Sequence, residues 1–331
     1  MSEIQQAAEL LAAGALVAMP TETVYGLAAD ASNPAAVAKI FAAKGRPADH
    51  PLIVHIGNIA QLEQWARDIP PAAHALAEKY WPGPLTLILK RQPNVPDAVT
   101  GGQDTVGIRM PNHPLALALL NEFAKHGSGA VAAPSANKFG RISPTKAAHV
   151  KSDLGDAVAM ILDGGESEVG IESTIVDLSR GNPVVLRPGA ITAEEIETTL
   201  GAHAEMPPAT PAPRVSGALA AHYAPRTPLQ LIASDELLKQ VDACVFKGQT
   251  IAVLGFSVSP LRHPAVLWFA AAHSAPHYAH DLYANLRLLD AAGVDLILVE
   301  RPPEDPEWRA VADRLGRAAV GSGADDEREA T

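Results

Sequence analysis

The sequence contains a single cysteine, Cys244. An internal disulfide is therefore impossible, and a metal site built on several thiolates is excluded. Long apolar runs are also missing. The opening stretch MSEIQQAAELLAAGALVAMPTE has no basic n-region, and its apolar run is too short to cross a bilayer. Neither a secretion signal nor a transmembrane helix is expected, so an intracellular, cytoplasmic protein is the expectation. Positive charge is scarce: 26 Lys and Arg stand against 37 Asp and Glu, a formal net charge of -11. That balance argues against a broad nucleic-acid surface, which needs clustered Lys and Arg, but it allows a local basic pocket for a small anion. G-x-G-x-x-G, Walker A and G-x-S-x-G signatures are absent too, and no cluster has zinc-ligand spacing.

What is present reads as two domains of an ordinary globular protein, 331 residues long with 47% hydrophobic and 19% charged residues. Runs of β-rich sequence recur at 15–19, 51–56, 85–90, 106–110, 130–133, 159–163, 173–178 and 184–187. Helical patterns lie between several of them. Asn33 is placed to cap a helix with Pro34 in its first turn, Val37, Ile40 and Phe41 on its apolar face, and Gly45 at its end. Thr192 and Glu195 form a capping box. Some strand connections are too short for a crossover, so the sheet is expected to be mixed. Residues 1–201 make this first α/β domain. A Pro/Ala-rich linker follows at 202–228, broken by the unexpected AHYAP. Residues 229–331 alternate strands and helices as a small Rossmann-like α/β domain.

Several stretches carry chemistry, each with a structural alternative. PTETVYGLAAD (20–30) is either a capped turn with Tyr25 in the core or a polar strand exit facing a ligand. Lys44 and Arg46 are either cations favoured by a helix C-terminus or a phosphate-binding pair, fixed in presentation by Gly45 and Pro47. His55 ends a strand, where a histidine is more often a hydrogen-bonded structural residue than a catalyst. Arg109 follows alternating apolar residues on a central strand, and there it needs an anionic partner, an internal or a ligand carboxylate. APSANKFGRISPT (133–145) offers hydroxyls, an amide and cations after a strand. LDGGESEVGIESTIVD (162–177) reads as an acidic loop running into Ser173 and Thr174.

Taken in order, PTETVYGLAADA, KGRP with HPL, TVGIRMP, PSAN and GIESTIVD make the chain resemble the YrdC-like family of threonylcarbamoyl-AMP synthases. The Lys-x-Arg and Ser-x-Asn pairs, here Lys44/Arg46 and Ser135/Asn137, are that family's signature. The resemblance covers residues 1 to about 200 densely, and the HYAP linker with the extra α/β domain matches the family's longer form. It implies a twisted, open mixed sheet with a deep basic cavity. It also implies a nucleotidyltransferase reaction, in which L-threonine, bicarbonate or CO2, and ATP with Mg2+ yield threonylcarbamoyl-AMP and pyrophosphate. No organic prosthetic group and no protein metal site are implied. The product would pass to a downstream tRNA threonylcarbamoyl transferase complex, with no strong direct tRNA binding.

Carried over position by position, the resemblance places Thr23, His55, Arg109, Ala133 and Ser173 around threonine. Ala133 stands where the family often has Ser or Thr, which leaves only its backbone to contribute. Arg46, His50, Thr105, Ser135, Ser143 and Arg187 fall around ATP, together with Lys44, Asn137 and Tyr223 of the linker. Lys44 and Arg46 are expected to stabilise phosphate charge. Two rivals remain on the sequence alone: an RNA-binding module, disfavoured by the acidic balance, and an enzyme of the same superfamily that activates a different acid.

Overall fold

The computed structural model describes residues 2–204, 212–258 and 260–323, so Met1, residues 205–211 of the expected linker, Ser259 and the last eight residues lie outside the described part. The chain folds as two compact units. The first comprises Met1–Phe139 and Pro144–Ala218, the second Gly140–Ser143 and Leu219–Thr331.

The first unit is built on a nine-stranded sheet. Its strands are β1 (Val17–Met19), β2 (Gly26–Asp30), β3 (Ile53–Ile56), β4 (Leu85–Lys90), β5 (Thr105–Arg109), β6 (Ala130–Ala132), β7 (Met160–Ile161), β8 (Thr174–Asp177) and β9 (Val184–Arg187). Their order is β7-β1-β2-β6-β3-β5-β4-β8-β9. The pairs β1/β7, β3/β5 and β4/β8 are parallel and the others antiparallel, so the sheet is mixed as expected. Strand β2 was not anticipated. Its sequence, GLAAD, has small residues of low strand propensity, and all five are buried. Burial between helices on one side and the main core on the other overrides propensity here.

Alternation along the strands positions the site. At the β1/β2/β6 end both faces are covered. Val17, Met19, Ala28 and Val131 pack with Leu11, Leu119 and Phe123 of helices Glu3–Ala12 and Pro114–Phe123. Ala18, Leu27, Ala29 and Ala132 join the larger core with Val37 and Ile40 of helix Pro34–Lys44. In β3, β4 and β5 one set of residues (Val54, Ile56, Leu85, Leu87, Leu89, Val106 and Ile108) lies in that larger core. Their alternates, His55, Thr86, Ile88, Thr105, Gly107 and Arg109, therefore share the opposite face, and the register places His55 directly beside Arg109.

Helix Pro34–Lys44 forms as its sequence dictates. Asn33 accepts hydrogen bonds from the amides of Ala35 and Ala36, and Gly45 closes the helix in the left-handed conformation at φ 66°. The capping box of Thr192 and Glu195 is also formed, on helix Ala193–Leu200.

The second unit carries β10 (Leu229–Ile232), β11 (Ile251–Gly255), β12 (Val266–Ala270) and β13 (Leu296–Glu300) as a parallel sheet in the order β10-β13-β11-β12. Helices Ser234–Phe246, Ala275–Asp290 and Arg309–Gly321 accompany it. Val241, Ile251, Val253 and Leu298 lie in its core. Among the described residues no helix is long and apolar enough to cross a membrane.

Candidate active site

Arg109 ends β5 at 4% exposure, and three groups meet its guanidinium. Its Nε donates to the carbonyl of Gly83 (3.3 Å) and its Nη1 to Oγ1 of Thr23 (2.9 Å). Its Nη2 stands 2.7 Å from Oε1 of Glu22, an ion pair with both side chains almost fully buried. The internal carboxylate that a buried strand arginine requires is therefore Glu22, a residue of PTETVYG that the sequence reading left without a role. The pair is close but not aligned as a hydrogen bond: Nη2 and both oxygens of Glu22 have no hydrogen-bond partner.

Thr23 is fixed by the turn that carries it. Oγ1 of Thr21 accepts from the amides of Thr23 and Val24 and lies 2.8 Å from Oγ1 of Thr23. In the same segment Tyr25 is fully buried, with its hydroxyl donating to the carbonyl of Gly165 (2.7 Å). Burial raises its pKa to about 12, so this phenol stays protonated and structural. PTETVYG is thus both a capped turn with a core tyrosine and the edge of a polar site.

His55 is buried beside Arg109, and its Nδ1 lies 3.2 Å from the carbonyl of Ile53. A carbonyl only accepts, so the proton sits on Nδ1 and Nε2 presents a bare lone pair. Burial, aided by the positive charge of Arg109, lowers the His55 pKa to about 3. The ring is neutral near pH 7, and Nε2 suits a hydroxyl donor.

Lys44 and Arg46 divide their work. The Lys44 ammonium, buried at 3% exposure, donates to the main-chain carbonyls of Ser135 (2.5 Å) and Asn137 (2.6 Å). The Phe139 amide donates back to the Lys44 carbonyl, and Ala136 and Leu27 stitch the same loop to the end of β2. Burial and then the neighbouring Arg46 hold the Lys44 pKa well below that of a free lysine. Arg46 donates from Nη2 to the carbonyl of Pro51 (3.0 Å) and lies 5.7 Å from the centre of the Phe139 ring. His50 meets the same ring edge-on at 5.4 Å. Burial and Arg46 lower its pKa as well. KGRP and PSAN, far apart in sequence, are one structural unit.

A third group gathers at β8 and β9. Arg187 donates to both the carbonyl (2.9 Å) and the hydroxyl (3.1 Å) of Ser173, and that hydroxyl also lies 2.8 Å from Oγ1 of Thr86. Nη1 of Arg187 reaches the carbonyl of Ser216, within the expected linker and in a stretch that belongs to the first unit. Arg214 adds contacts to Asp49 (3.1 Å), to the carbonyl of Gly101 (2.9 Å) and to Gln103. Thr105, Arg214 and Ser216 line one groove with Gly107.

Ala133 stands at the start of the PSAN loop and donates its amide to the carbonyl of Ile53 (3.0 Å). Ser143 and Tyr223 belong to the second unit. There Tyr223 takes a left-handed φ of 61°, with its ring 5.7 Å from that of Tyr283 and 5.4 Å from the Arg314 guanidinium. Besides Glu22, the sequence reading missed Thr86 and the linker carbonyl of Ser216. Thr86 lies in a strand that reads as continuous apolar core, so nothing marks it.

Comparison with known proteins places this geometry in a family. The Sua5/YciO/YrdC family model, described as telomere recombination, matches residues 9–189. The model of the threonylcarbamoyl-AMP synthase C-terminal domain matches residues 191–320. The threonylcarbamoyl-AMP synthase of Pyrococcus abyssi is 41% identical over 96% of this chain and 94% of its own length. That of Bacillus subtilis is 42% identical over 96% and 93%. The crystal structure of P. abyssi Sua5 complexed with L-threonine superposes with a TM-score of 0.87 at 40% identity, covering 96% of this chain and 94% of that one. The chain belongs to the Sua5/YciO/YrdC family, in the long form that carries the synthase C-terminal domain.

Proposed function

We propose that the chain is an L-threonylcarbamoyladenylate synthase, joining L-threonine, bicarbonate or CO2, and ATP to give threonylcarbamoyl-AMP and pyrophosphate. The observation that carries this reading is the buried Arg109, held by Thr23 and set beside a neutral His55 on one sheet face. A carboxylate donor set next to a hydroxyl acceptor suits an amino acid with a side-chain hydroxyl. The names of the relatives, and the P. abyssi Sua5 structure with L-threonine, support the same reading.

Arg109 would take the threonine carboxylate and Nε2 of His55 its hydroxyl, with Thr23, Ser173 and the Ala133 backbone completing the pocket. Within the first unit the nucleotide would engage Arg46, His50, Thr105, Ser135, Asn137 and Arg187. Lys44 acts through the loop it ties: its ammonium is spent on the Ser135 and Asn137 carbonyls, so it shapes the phosphate site and adds charge from beneath. The neutral threonine amine adds to CO2 with release of a proton, or to bicarbonate with loss of water, to give a carbamate; a carbamate oxygen then bonds to the α-phosphorus as the bond from that phosphorus to the bridging oxygen breaks and pyrophosphate leaves. The protein's part is positioning and charge stabilisation, and no side chain is assigned as general base. Mg2+ would arrive with ATP and would help neutralise phosphate charge.

The adenylate is the form in which a cytoplasmic tRNA threonylcarbamoyl transferase complex would receive the group, and no direct tRNA binding is invoked. Incubation with ATP, threonine and 13C-bicarbonate, followed by mass spectrometry of the nucleotides, tests the assignment. An adenylate carrying both threonine and the label is expected; its absence with active, folded protein would refute the reading.

A further inference from the structure

Glu22 has so far only neutralised Arg109, and its surroundings do not match that role alone. A carboxylate whose sole task is to anchor a buried arginine normally takes the charge and the aligned hydrogen bonds together. Here the charges are 2.7 Å apart, yet Nη2 of Arg109 and both oxygens of Glu22 keep their hydrogen-bonding capacity unspent, all three buried. Leaving such groups unsatisfied is costly, more so for charged ones, so a partner that completes them is favoured. The local charge is also informative. Arg109 and Glu22 cancel, and the neighbouring His55 is neutral. A pocket for a simple carboxylate would carry net positive charge. A pocket for a zwitterion should carry one charge of each sign, side by side, as this one does.

The geometry points to Glu22 as the receiving group for the α-ammonium of the amino-acid substrate, with Arg109 taking the α-carboxylate. This inference rests on the reading of the site as a threonine site. Donors and acceptors balance: Nη2 supplies N–H groups to the carboxylate, and the two Glu22 oxygens accept from the ammonium. Once the nitrogen becomes a carbamate it still carries one N–H, which Glu22 continues to accept, so the contact persists through the first chemical step. Glu22 thereby sets selectivity for an α-amino acid over an α-hydroxy acid of the same shape.

The test pairs threonine with (2S,3R)-2,3-dihydroxybutanoate, in which a hydroxyl replaces the ammonium, and measures the affinity of the full-length protein for each. Wild type should prefer threonine by at least about tenfold, in line with rejection by a site built around a specific polar contact. Glu22→Gln should weaken threonine by about tenfold or more and leave the dihydroxy acid within about twofold, a loss of about 1.4 kcal/mol or more for threonine alone. If Glu22 merely supports Arg109, both ligands carry the same carboxylate and must weaken together, which would overturn the proposal. Unchanged threonine affinity would overturn it as well. A wild type that binds neither compound would sink the threonine reading itself, and this proposal with it. If Glu22→Gln does not fold, Glu22→Asp keeps the charge but withdraws it by a methylene; threonine must again lose more than the dihydroxy acid.

Discussion

Lys44 points its ammonium at the main-chain carbonyl of Ser135 from 2.5 Å, across more than ninety residues of sequence. The carbonyl of Asn137 shares it at 2.6 Å. The signature lysine thus builds the loop that presents the signature serine and asparagine. Replacing Lys44 with Met removes both hydrogen bonds while keeping the apolar stem. Unfolding in urea should show a loss of about 1–3 kcal/mol, the cost of leaving buried acceptors unpaired. The KM for ATP should rise with it. Wild-type stability in the variant would contradict this structural role.

Arg109 and Glu22 are coupled, so single substitutions at either should cost more than the pair removed together. Arg109→Met strands a buried carboxylate and should destabilise by about 3–5 kcal/mol. Adding Glu22→Gln removes the stranded charge and should recover part of that loss. A double-mutant cycle measures the coupling; strict additivity would mean that the two charges do not depend on each other. In either Arg109 variant threonine affinity should fall far more than ATP affinity.

The pH dependence of stability follows from His55. Its pKa falls from 6.5 in a free chain to about 3 in the fold. Between these values the unfolded chain binds the proton and the folded one resists it, so stability declines as pH drops from 6.5 toward 3. The contribution of this one group is at most about 1.4 kcal/mol per pH unit. His55→Asn, which cannot take up a proton, should flatten that part of the curve. An identical slope in the variant would exclude His55 as the source. Above pH 6.5 the histidine adds no pH dependence to threonine binding.

Gly45 offers a contrasting control. Its φ of 66° favours glycine, yet nothing lies within 4 Å of where a Cβ would stand. Gly45→Ala should therefore cost only the left-handed backbone penalty, about 1 kcal/mol, measured as a small fall in melting temperature. A loss several times larger would mean that the Lys44–Arg46 segment tolerates no relaxation.

Much of this was legible from the residues. The Asn33 cap, Pro34 and Gly45 bounded their helix correctly, because capping is decided by a few local hydrogen bonds. Arg109 announced its need for a buried anion, because an apolar strand cannot hold a lone charge. Strand β2 was hidden, since GLAAD owes its conformation to being enclosed on both faces and not to its own preferences. Glu22 was quoted but not recognised: whether that carboxylate meets Arg109 or solvent is decided by the turn geometry of Thr21 and by the placement of β5. Lys44 was read as stabilising phosphate charge; its bonds to the main-chain carbonyls of Ser135 and Asn137 were not legible, because they depend on a loop ninety residues away.

Pyrophosphate release from ATP, measured with threonine and bicarbonate added separately and together, tests the central claim most directly. Release should require both, and Arg109→Lys should abolish the threonine-dependent release while ATP binding survives. Release that proceeds equally well without threonine would contradict the account.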